Sequence, residues 1–569
     1  MIKGAAAMAG GTVATVLTPG DSLMAPSVHA APRSTLSGER VVFASASKNI
    51  VETDSGKVFG FVSNGIYTFK GIRYGASTAG KNRFMAPQKP EPWTGVRSAL
   101  YWGPVSPQTF TSTFDGRRGG WQHDDESFMF DWEDGQPSED CLCVKVWTPS
   151  INDSKKRPVM VWIHGGQYVS GSDNELRMYD GESLSRRGEV VLVSLNHRLG
   201  VLGYMNLSAY GQKWADASNV GMLDLVAALA WVKTNISNFG GDPNTVMIFG
   251  QSGGGGKVST LMGMPAAEGL FHRAAVESGS PQAAAPATDR SPEMAAATLA
   301  ELGFTAGTID KIQDVPNEAI VSAGLRAQRK LTTGPAAVPG TGGNGVGWFP
   351  VVDGKNLPRS PWYPTAPTNS AKVALLVGNV LNEFTNSVQM GDATVDNMDM
   401  VEVKKRLAAQ RGEAKASMLI DVFQKEHPKA TPFEIMSRIN SSVMRNNAVT
   451  QAARKTALGA APAYNYWFHW QTPVLDGRPR AYHCSELPFV FYNTDRCASM
   501  TGGGPEALGL AGKIADAWIN FARKGDPNHP GLPHWPAFAA ETCPTMVFDT
   551  ECALKSDPDG VERKAITQT

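Results

Sequence analysis

A serine, a set of carboxylates and a late histidine lie along the chain in an order that suits covalent catalysis. The serine stands in Gly250-Gln251-Ser252-Gly253-Gly254, a Gly-x-Ser-x-Gly pattern. Such a serine occupies a strained turn between strand and helix, where side chains on the flanking residues would collide with their neighbours. The context fits: Thr245-Val246-Met247-Ile248-Phe249 precedes it and a helix-compatible stretch, Lys257 to Met262, follows. A helix start behind Ser252 would also point N–H groups at the site and favour negative charge there.

A serine hydroxyl needs a base to take its proton. Enzymes built on this turn run serine, acid, histidine in chain order. Of the 10 histidines, His29, His123, His164 and His197 come too early. His272 follows so soon that no strand could supply an acid in between. His427, in Lys-Glu-His-Pro-Lys, reads as solvated; His469, in Tyr466-Trp467-Phe468-His469-Trp470, reads as a strand histidine. His529 and His534 sit in a late Pro-rich loop. His483, on a loop ahead of Glu486-Leu487-Pro488-Phe489-Val490-Phe491, is the best placed, though order alone does not single it out. Glu383 is the first carboxylate after the apolar run Val373–Val377, with Asp353 and Asp392 as rivals. Asp353, in Val-Val-Asp-Gly, has the look of a turn aspartate. The acid has to fix the imidazole's tautomer and stabilise the imidazolium, so Asp or Glu would serve. An oxyanion hole needs backbone N–H donors. His164-Gly165-Gly166-Gln167 follows a strand, and the N–H of Gly253 adds another donor.

The elements that must position these groups read as an α/β protein. Val159–Ile163, Val190–Leu195, Thr245–Phe249 and Val373–Val377 are short continuous apolar runs bounded by glycine, as expected of strands buried on both faces. Between the second and third runs, Leu223, Val226, Leu229, Ala230 and Val232 recur at helical spacing, which predicts a parallel crossover. Residues 47–75 alternate apolar and polar around Gly and Asn turns and predict a small antiparallel sheet. Val401–Gln410 and Phe433–Ala457 predict helices of a lid or flanking subdomain. Thr111–Asp140 reads as a surface loop bordering the site.

Composition excludes other classes. The chain has 569 residues, 42% hydrophobic, with 53 basic and 53 acidic side chains, so no basic footprint for nucleic acid exists. No apolar run approaches the length of a membrane span. No His-Glu-x-x-His and no Cys/His set with zinc spacing occurs, so neither metal nor cofactor is expected. The run Gly340–Gly345 follows no clear strand and is no phosphate cradle. Residues 1–30 read as a signal peptide, with Lys3, a weakly apolar Ala5–Leu17 and small residues at Val28-His29-Ala30, which predicts export and leaves 31–569 as a single catalytic domain. Cys484/Cys497 and Cys543/Cys552 are close enough for local bridges, with free buried thiols as the alternative. Cys484 is placed to pack, pair or tune the base.

Longer motifs carry a family resemblance. Phe69-Lys70-Gly71-Ile72-Arg73-Tyr74, Glu139-Asp140-Cys141-Leu142 through Val146-Trp147-Thr148-Pro149, Leu195-Asn196-His197-Arg198-Leu199-Gly200, Asn219–Asp224, Phe239–Pro243 and Asn520–Asn528 occur in order. Together they resemble the type-B carboxylesterases, which include cholinesterases and bacterial para-nitrobenzyl esterases. The resemblance implies an α/β-hydrolase fold: a central, mostly parallel sheet flanked by helices, with a small N-terminal antiparallel sheet and helical insertions. It implies a serine esterase with Ser252 as nucleophile, Glu383 as acid and His483 as base, and with oxyanion donors at Gly166, Gln167 and Gly253. It places Gln251 at a substrate-binding position, where the family commonly has Glu; an uncharged residue there argues against recognition of choline-like cations. Gln167 replaces a small residue of the oxyanion loop and should narrow the pocket against tertiary-alcohol esters. Cys141 falls on a family disulfide position, but no cysteine precedes it to pair with. The expected partner is a small-molecule ester, and the expected assembly a monomer or weak homo-oligomer. The alternatives are an amide or carbamate hydrolase using the same residues, and a non-catalytic binding module.

Overall fold

The computed structural model describes residues 42–108, 124–133, 135–284, 288–332, 346–383, 385 and 397–568. The leader at 1–30, Asp392, the Gly340–Gly345 run and much of Thr111–Asp140 lie outside the described residues.

The apolar runs form a large sheet. Its strands are β1 (Val42–Ala44), β4 (Phe61–Ser63), β5 (Ile66–Arg73), β7 (Cys143–Thr148), β8 (Arg157–Ile163), β9 (Val191–Leu195), β10 (Gly241–Gln251), β11 (Arg273–Glu277), β12 (Ala374–Val380), β13 (Ala463–Phe468), β14 (Pro544–Phe548) and β15 (Ala553–Ser556). Their spatial order is β1-β4-β5-β7-β9-β8-β10-β11-β12-β13-β14-β15. Every neighbouring pair from β9 to β14 is parallel, and the pairs at both edges are antiparallel.

Burial on both faces explains the unbroken runs. Along β8, Val159, Val161 and Ile163 enter one core while Met160 and Trp162 enter the other. Along β10, Val246 and Ile248 alternate in the same way with Met247 and Phe249. Period-two geometry sends alternate side chains to opposite layers, so a strand covered by helices on both sides needs apolar residues throughout.

The small sheet differs from expectation. Residues 47–75 divide between two sheets. β2 (Ile50–Thr53) and β3 (Gly56–Phe59) form a separate one with β6 (Val96–Ser98), while β4 and β5 join the main sheet. β2 and β3 are antiparallel but β3 and β6 are parallel, so this sheet is mixed. Alternation marks half-buried strands; it does not say which neighbour each strand pairs with.

Seven helices matter for the site and its support: α1 (Val220–Asn235), α2 (Gly253–Leu261), α3 (Met400–Arg411), α4 (Glu413–Glu426), α5 (Pro432–Thr456), α6 (Pro505–Lys524) and α7 (Gly560–Thr567). Helix α1 is the predicted crossover, but its core face is Met222, Leu225, Leu229 and Val232. Leu223 and Val226 are only half-buried and Ala230 is exposed. The helix is apolar around most of its circumference, so several phases of the helical period fit its sequence equally well. The longest apolar helical stretch among the described residues, Gln212–Phe239, contains α1 and is mostly buried, as a core helix should be.

Helices α3, α4, α7 and the first half of α5 enclose a third, smaller core that includes Val403, Leu407, Phe423, Ile435, Ile439 and Ile566. These helices form a flanking layer with an apolar interior of its own. The second half of α5 instead sends Ala448, Val449 and Ala452 into a main core.

A buried ion pair fixes the loop after β9 to α1. The Arg198 guanidinium donates to both carboxylate oxygens of Asp224, at 2.8 and 2.6 Å, and the Arg198 backbone N–H donates to Oδ2 at 3.0 Å. Both side chains are almost wholly enclosed. Removing one partner strands a charge in the interior, so Asp224→Ala should cost about 3–5 kcal/mol. Denaturant unfolding checks this, and a loss below about 1 kcal/mol would contradict it.

Candidate active site

The carboxyl ends of adjacent parallel strands gather the predicted residues. β10 ends at Gln251, and Ser252 follows with φ 56° and ψ −123° before α2 begins at Gly253. A non-glycine residue with positive φ in such a turn is strained and persists only when its surroundings enforce it. The enforcement is steric. A Cβ on Gly250 would lie 2.6 Å from the Gly254 carbonyl carbon, and one on Gly254 would lie 2.1 Å from Ile163 O. Gly253 is as tightly held: its Cβ would fall 2.1 Å from Gln167 Cα. The start of α2 therefore packs backbone to backbone against the loop after β8. The Ser252 N–H donates to Glu277 O at 2.8 Å, which ties the turn to β11.

Glu383 lies just past β12 and His483 beyond β13. Glu383 Oε2 contacts His483 Nδ1, and both side chains are buried. The other oxygen, Oε1, accepts from Ser278 Oγ at 2.7 Å and from the Val380 N–H at 3.2 Å. Donors on the far oxygen orient the carboxyl group toward the imidazole. Ser278 was not visible as a site residue from sequence; the only signal is its place directly after the apolar strand β11.

Gln251, which the resemblance places at a substrate-binding position, is buried. Its side chain is 1% exposed and turns into the protein. On a strand, neighbouring side chains point to opposite faces, so the residue before an outward-facing Ser252 faces inward. There its amide nitrogen lies 3.2 Å from His483 Nε2 and 3.4 Å from Nδ1. Near-equal distances put the amide over the ring face, because in the ring plane it would collide with Cε1. The Cys484 thiol donates to Gln251 Oε1 at 3.1 Å, which settles the amide's orientation. The Cys484 side chain therefore packs against Gln251.

The loop after β8 lies beside the serine. A Cβ on Gly165 would stand 3.7 Å from Ser252 Cβ. Gly166 and Gln167 both have positive φ, 73° and 55°. The Gly166 carbonyl accepts from Val169 N at 3.2 Å and Ser170 N at 3.1 Å. Behind the loop, His164 and His197 stack with centroids 5.1 Å apart, each with Nδ1 on the carbonyl of the next residue. Burial holds both well below the usual imidazole range.

Several ionisable groups are buried around the site. Burial pulls the Lys257 ammonium down to about 7, against the opposing pull of Glu175. Burial pushes Glu175 up to about 8 and Glu277 up to about 8. It pushes Glu486 well above the carboxyl range, helped by the charges of Glu277 and Glu383. Glu277 accepts the Trp518 indole N–H at 2.7 Å. Glu277 Oε2 and both Glu486 oxygens have no partner among the described residues. Groups so placed are stable as neutral acids.

The other candidates fall elsewhere. His427 is not solvated; its Nε2 meets Glu562 Oε1 at 2.8 Å in the flanking layer, where a charged partner and the α4 terminus cover it. His469 lies half-buried just past β13, and desolvation pulls it down to about 3. His529 bonds Lys513 O at 2.9 Å, and His534 is exposed. Asp353 is a turn residue that accepts the N–H groups of Lys355 and Leu357, both at 2.9 Å. Of the aromatic residues, Trp362 is fully buried with its N–H on Ser259 O at 2.9 Å, and Trp348 is 4% exposed, so both are packing residues. All six cysteines are free thiols. Among the described residues no cluster of three His, Cys, Asp or Glu side chains is arranged to hold a metal.

Comparison with known proteins agrees with this architecture. A model of the carboxylesterase family matches residues 47–563. The chain is 34% identical over 525 residues to the para-nitrobenzyl esterase of Bacillus subtilis (strain 168), covering 91% of this chain and 98% of that one. It is 31% identical over 516 residues to the phenmedipham hydrolase of Pseudarthrobacter oxydans, covering 89% and 96%. Among solved structures, it superposes on an esterase of Clostridium hathewayi described as hydrolysing aliphatic aromatic polyesters, with a TM-score of 0.75, 33% identity and coverage of 92% and 99%. A para-nitrobenzyl esterase structure gives a TM-score of 0.73 at 32% identity, with coverage of 92% and 100%. The fold is that of the α/β-hydrolases.

The buried acids have a consequence for stability. A carboxyl group whose proton is held more tightly in the folded state contributes stability at low pH, and this is lost as pH rises from the ordinary carboxylate range toward about 8. Glu277→Gln removes that dependence. The variant should gain on wild type by about 1–3 kcal/mol between pH 5 and pH 8.5. Thermal unfolding midpoints of both proteins across that range test this; a gap independent of pH would refute it.

Proposed function

The chain belongs to the carboxylesterase family, and on that premise we propose that it hydrolyses esters through an acyl-enzyme on Ser252, with His483 as base and Glu383 as acid. The protein is a carboxylic ester hydrolase. The observation that carries the finer reading is the Glu383–His483 contact, at the strand ends that also hold Ser252 in its strained turn. A carboxylate on Nδ1 leaves Nε2 as the basic nitrogen, the tautomer a general base needs.

In the proposed cycle His483 takes the Ser252 proton as Oγ bonds to the ester carbonyl carbon. The carbonyl oxygen becomes an oxyanion held by the N–H groups of Gly166, Gln167 and Gly253. Collapse expels the alcohol, which carries away the proton from His483. Water then attacks the acyl group, His483 takes its proton, and the acid leaves with Ser252 regenerated. The orientation of α2 favours the same charge, because its first N–H groups face the reacting oxygen.

The experiment is an ester panel varied in acyl and alcohol size, run beside matching anilides, on wild type and Ser252→Ala. Wild type should turn over esters and take up an organophosphate at Ser252. Ser252→Ala should lose about 10⁴-fold or more in kcat. Activity that survives in Ser252→Ala, or labelling at another residue, sinks the reading; anilide turnover above ester turnover would reassign the substrate class.

Gln167 supplies a second test. Its backbone donates whatever the side chain, but the side chain takes up room beside the reacting carbonyl. Gln167→Gly should raise turnover of tertiary-alcohol esters relative to primary ones, read as the ratio of kcat/KM. An unchanged ratio would show that the side chain does not restrict that part of the pocket.

A further inference from the structure

Lys257 projects from the first turns of α2 and is 0% exposed. A buried ammonium is costly unless its hydrogens are met by strong acceptors. Among the described residues its ion-pair partners include no carboxylate within 4 Å. Its Nζ instead donates to two backbone carbonyls, His164 O at 3.0 Å and Gly165 O at 3.3 Å. These are consecutive peptides of the loop that carries the oxyanion donors.

Peptide geometry turns that contact into an orientation. In a trans peptide the C=O and the N–H of the next residue point in opposite directions. With Gly165 O drawn toward Lys257, the Gly166 N–H must point away from it, to the side where Gly166 is exposed. The His164 imidazole, 3.0 Å away on the same oxygen, holds this plane from a second direction. The next peptide is fixed independently: Gly166 O accepts from Val169 and Ser170, which turns the Gln167 N–H outward. Gly166 and Gln167 both lie in the left-handed region, which the local chain disfavours at Gln167, so outside contacts must hold these planes.

We propose that Lys257 is a positioning residue for the esterase reaction: its buried ammonium locks the Gly165–Gly166 peptide so that the Gly166 N–H faces the oxyanion, and places a positive charge beneath that oxygen. The inference rests on the acyl-enzyme reading above and deepens it. Charge and dipole act together, since the α2 N-terminus and the ammonium both lie on the side from which the oxyanion is stabilised. An ester in its ground state gains little from either, because its carbonyl oxygen carries no full charge. Lys257 should therefore matter for kcat and hardly at all for KM.

The test compares wild type, Lys257→Met, which keeps length and loses charge and donor, and Lys257→Gln, which keeps a donor without charge. The readouts are kcat and KM on a short-chain nitrophenyl ester, inhibition by a trifluoromethyl ketone that forms a tetrahedral oxyanion on the serine, and organophosphonate labelling of Ser252. Lys257→Met should lose about 10–100-fold in kcat with KM within about threefold, and bind the ketone more weakly by a similar factor. Lys257→Gln should recover part of the loss in both. A folded Lys257→Met with kcat within about threefold of wild type, or with ketone affinity unchanged, overturns the inference. If Lys257→Met does not fold, Lys257→Gln decides by the same split between kcat and KM. Wild type that fails to label at Ser252 overturns the acyl-enzyme reading itself; labelled wild type beside an undiminished variant overturns the role of Lys257 alone.

Discussion

The site depends on backbone meeting backbone where β10 gives way to α2. At Gly253 and Gly254 the space that a single methyl group would need is already filled by Gln167 and by the Ile163 carbonyl. That contact brings the helix start, the strained serine and the loop after β8 into one rigid body. It also explains why glycine clusters here, while the strands leading in are unbroken hydrophobic stretches. Interiors are close-packed, so a contact of this kind has almost no compliance. Geometry at the reacting carbon is then fixed before any ester arrives, which is the condition under which oriented dipoles accelerate a reaction most.

Beneath this rigid body the protein buries charge in an unusual balance. Glu277 and Glu486 are held toward their protonated forms, while the Lys257 ammonium leans on carbonyl oxygens. Gln251 touches the imidazole with its amide nitrogen and takes the Cys484 thiol on its oxygen. A carboxylate at position 251 would place a second acid against the imidazole that Glu383 already contacts.

Much of this was legible in the amino-acid order because several levels agreed. The strands around Val159–Ile163 and Thr245–Phe249 announced themselves through apolar continuity, and the turn at Ser252 through glycines that only close approach demands. Other features were not written locally. On α1, Leu229 and Val232 face the core as expected, but Met222 and Leu225 do so in place of Leu223 and Val226, because a helix apolar around most of its circumference offers little contrast. The pairing partner of His427, Glu562, is 135 residues away, so its context of Lys and Glu suggested solvent where the fold supplies a neighbour. The inward turn of Gln251 follows from strand alternation and could have been anticipated. The contact between Ser278 and Glu383 required knowing that β11 and β12 are neighbours.

Helix α5 has a structural consequence of its own. It is one continuous helix from Pro432 to Thr456, begun by a Thr431–Glu434 capping box, and its two halves serve different interiors. At about 1.5 Å per residue it is a beam nearly 40 Å long. The flanking layer is therefore not an appendage that a shorter enzyme could shed cleanly. Cutting away α3 and α4 would leave Ile435 and Ile439 uncovered on a rod still anchored under the catalytic sheet, so this part of the molecule can vary in its loops but not in its presence.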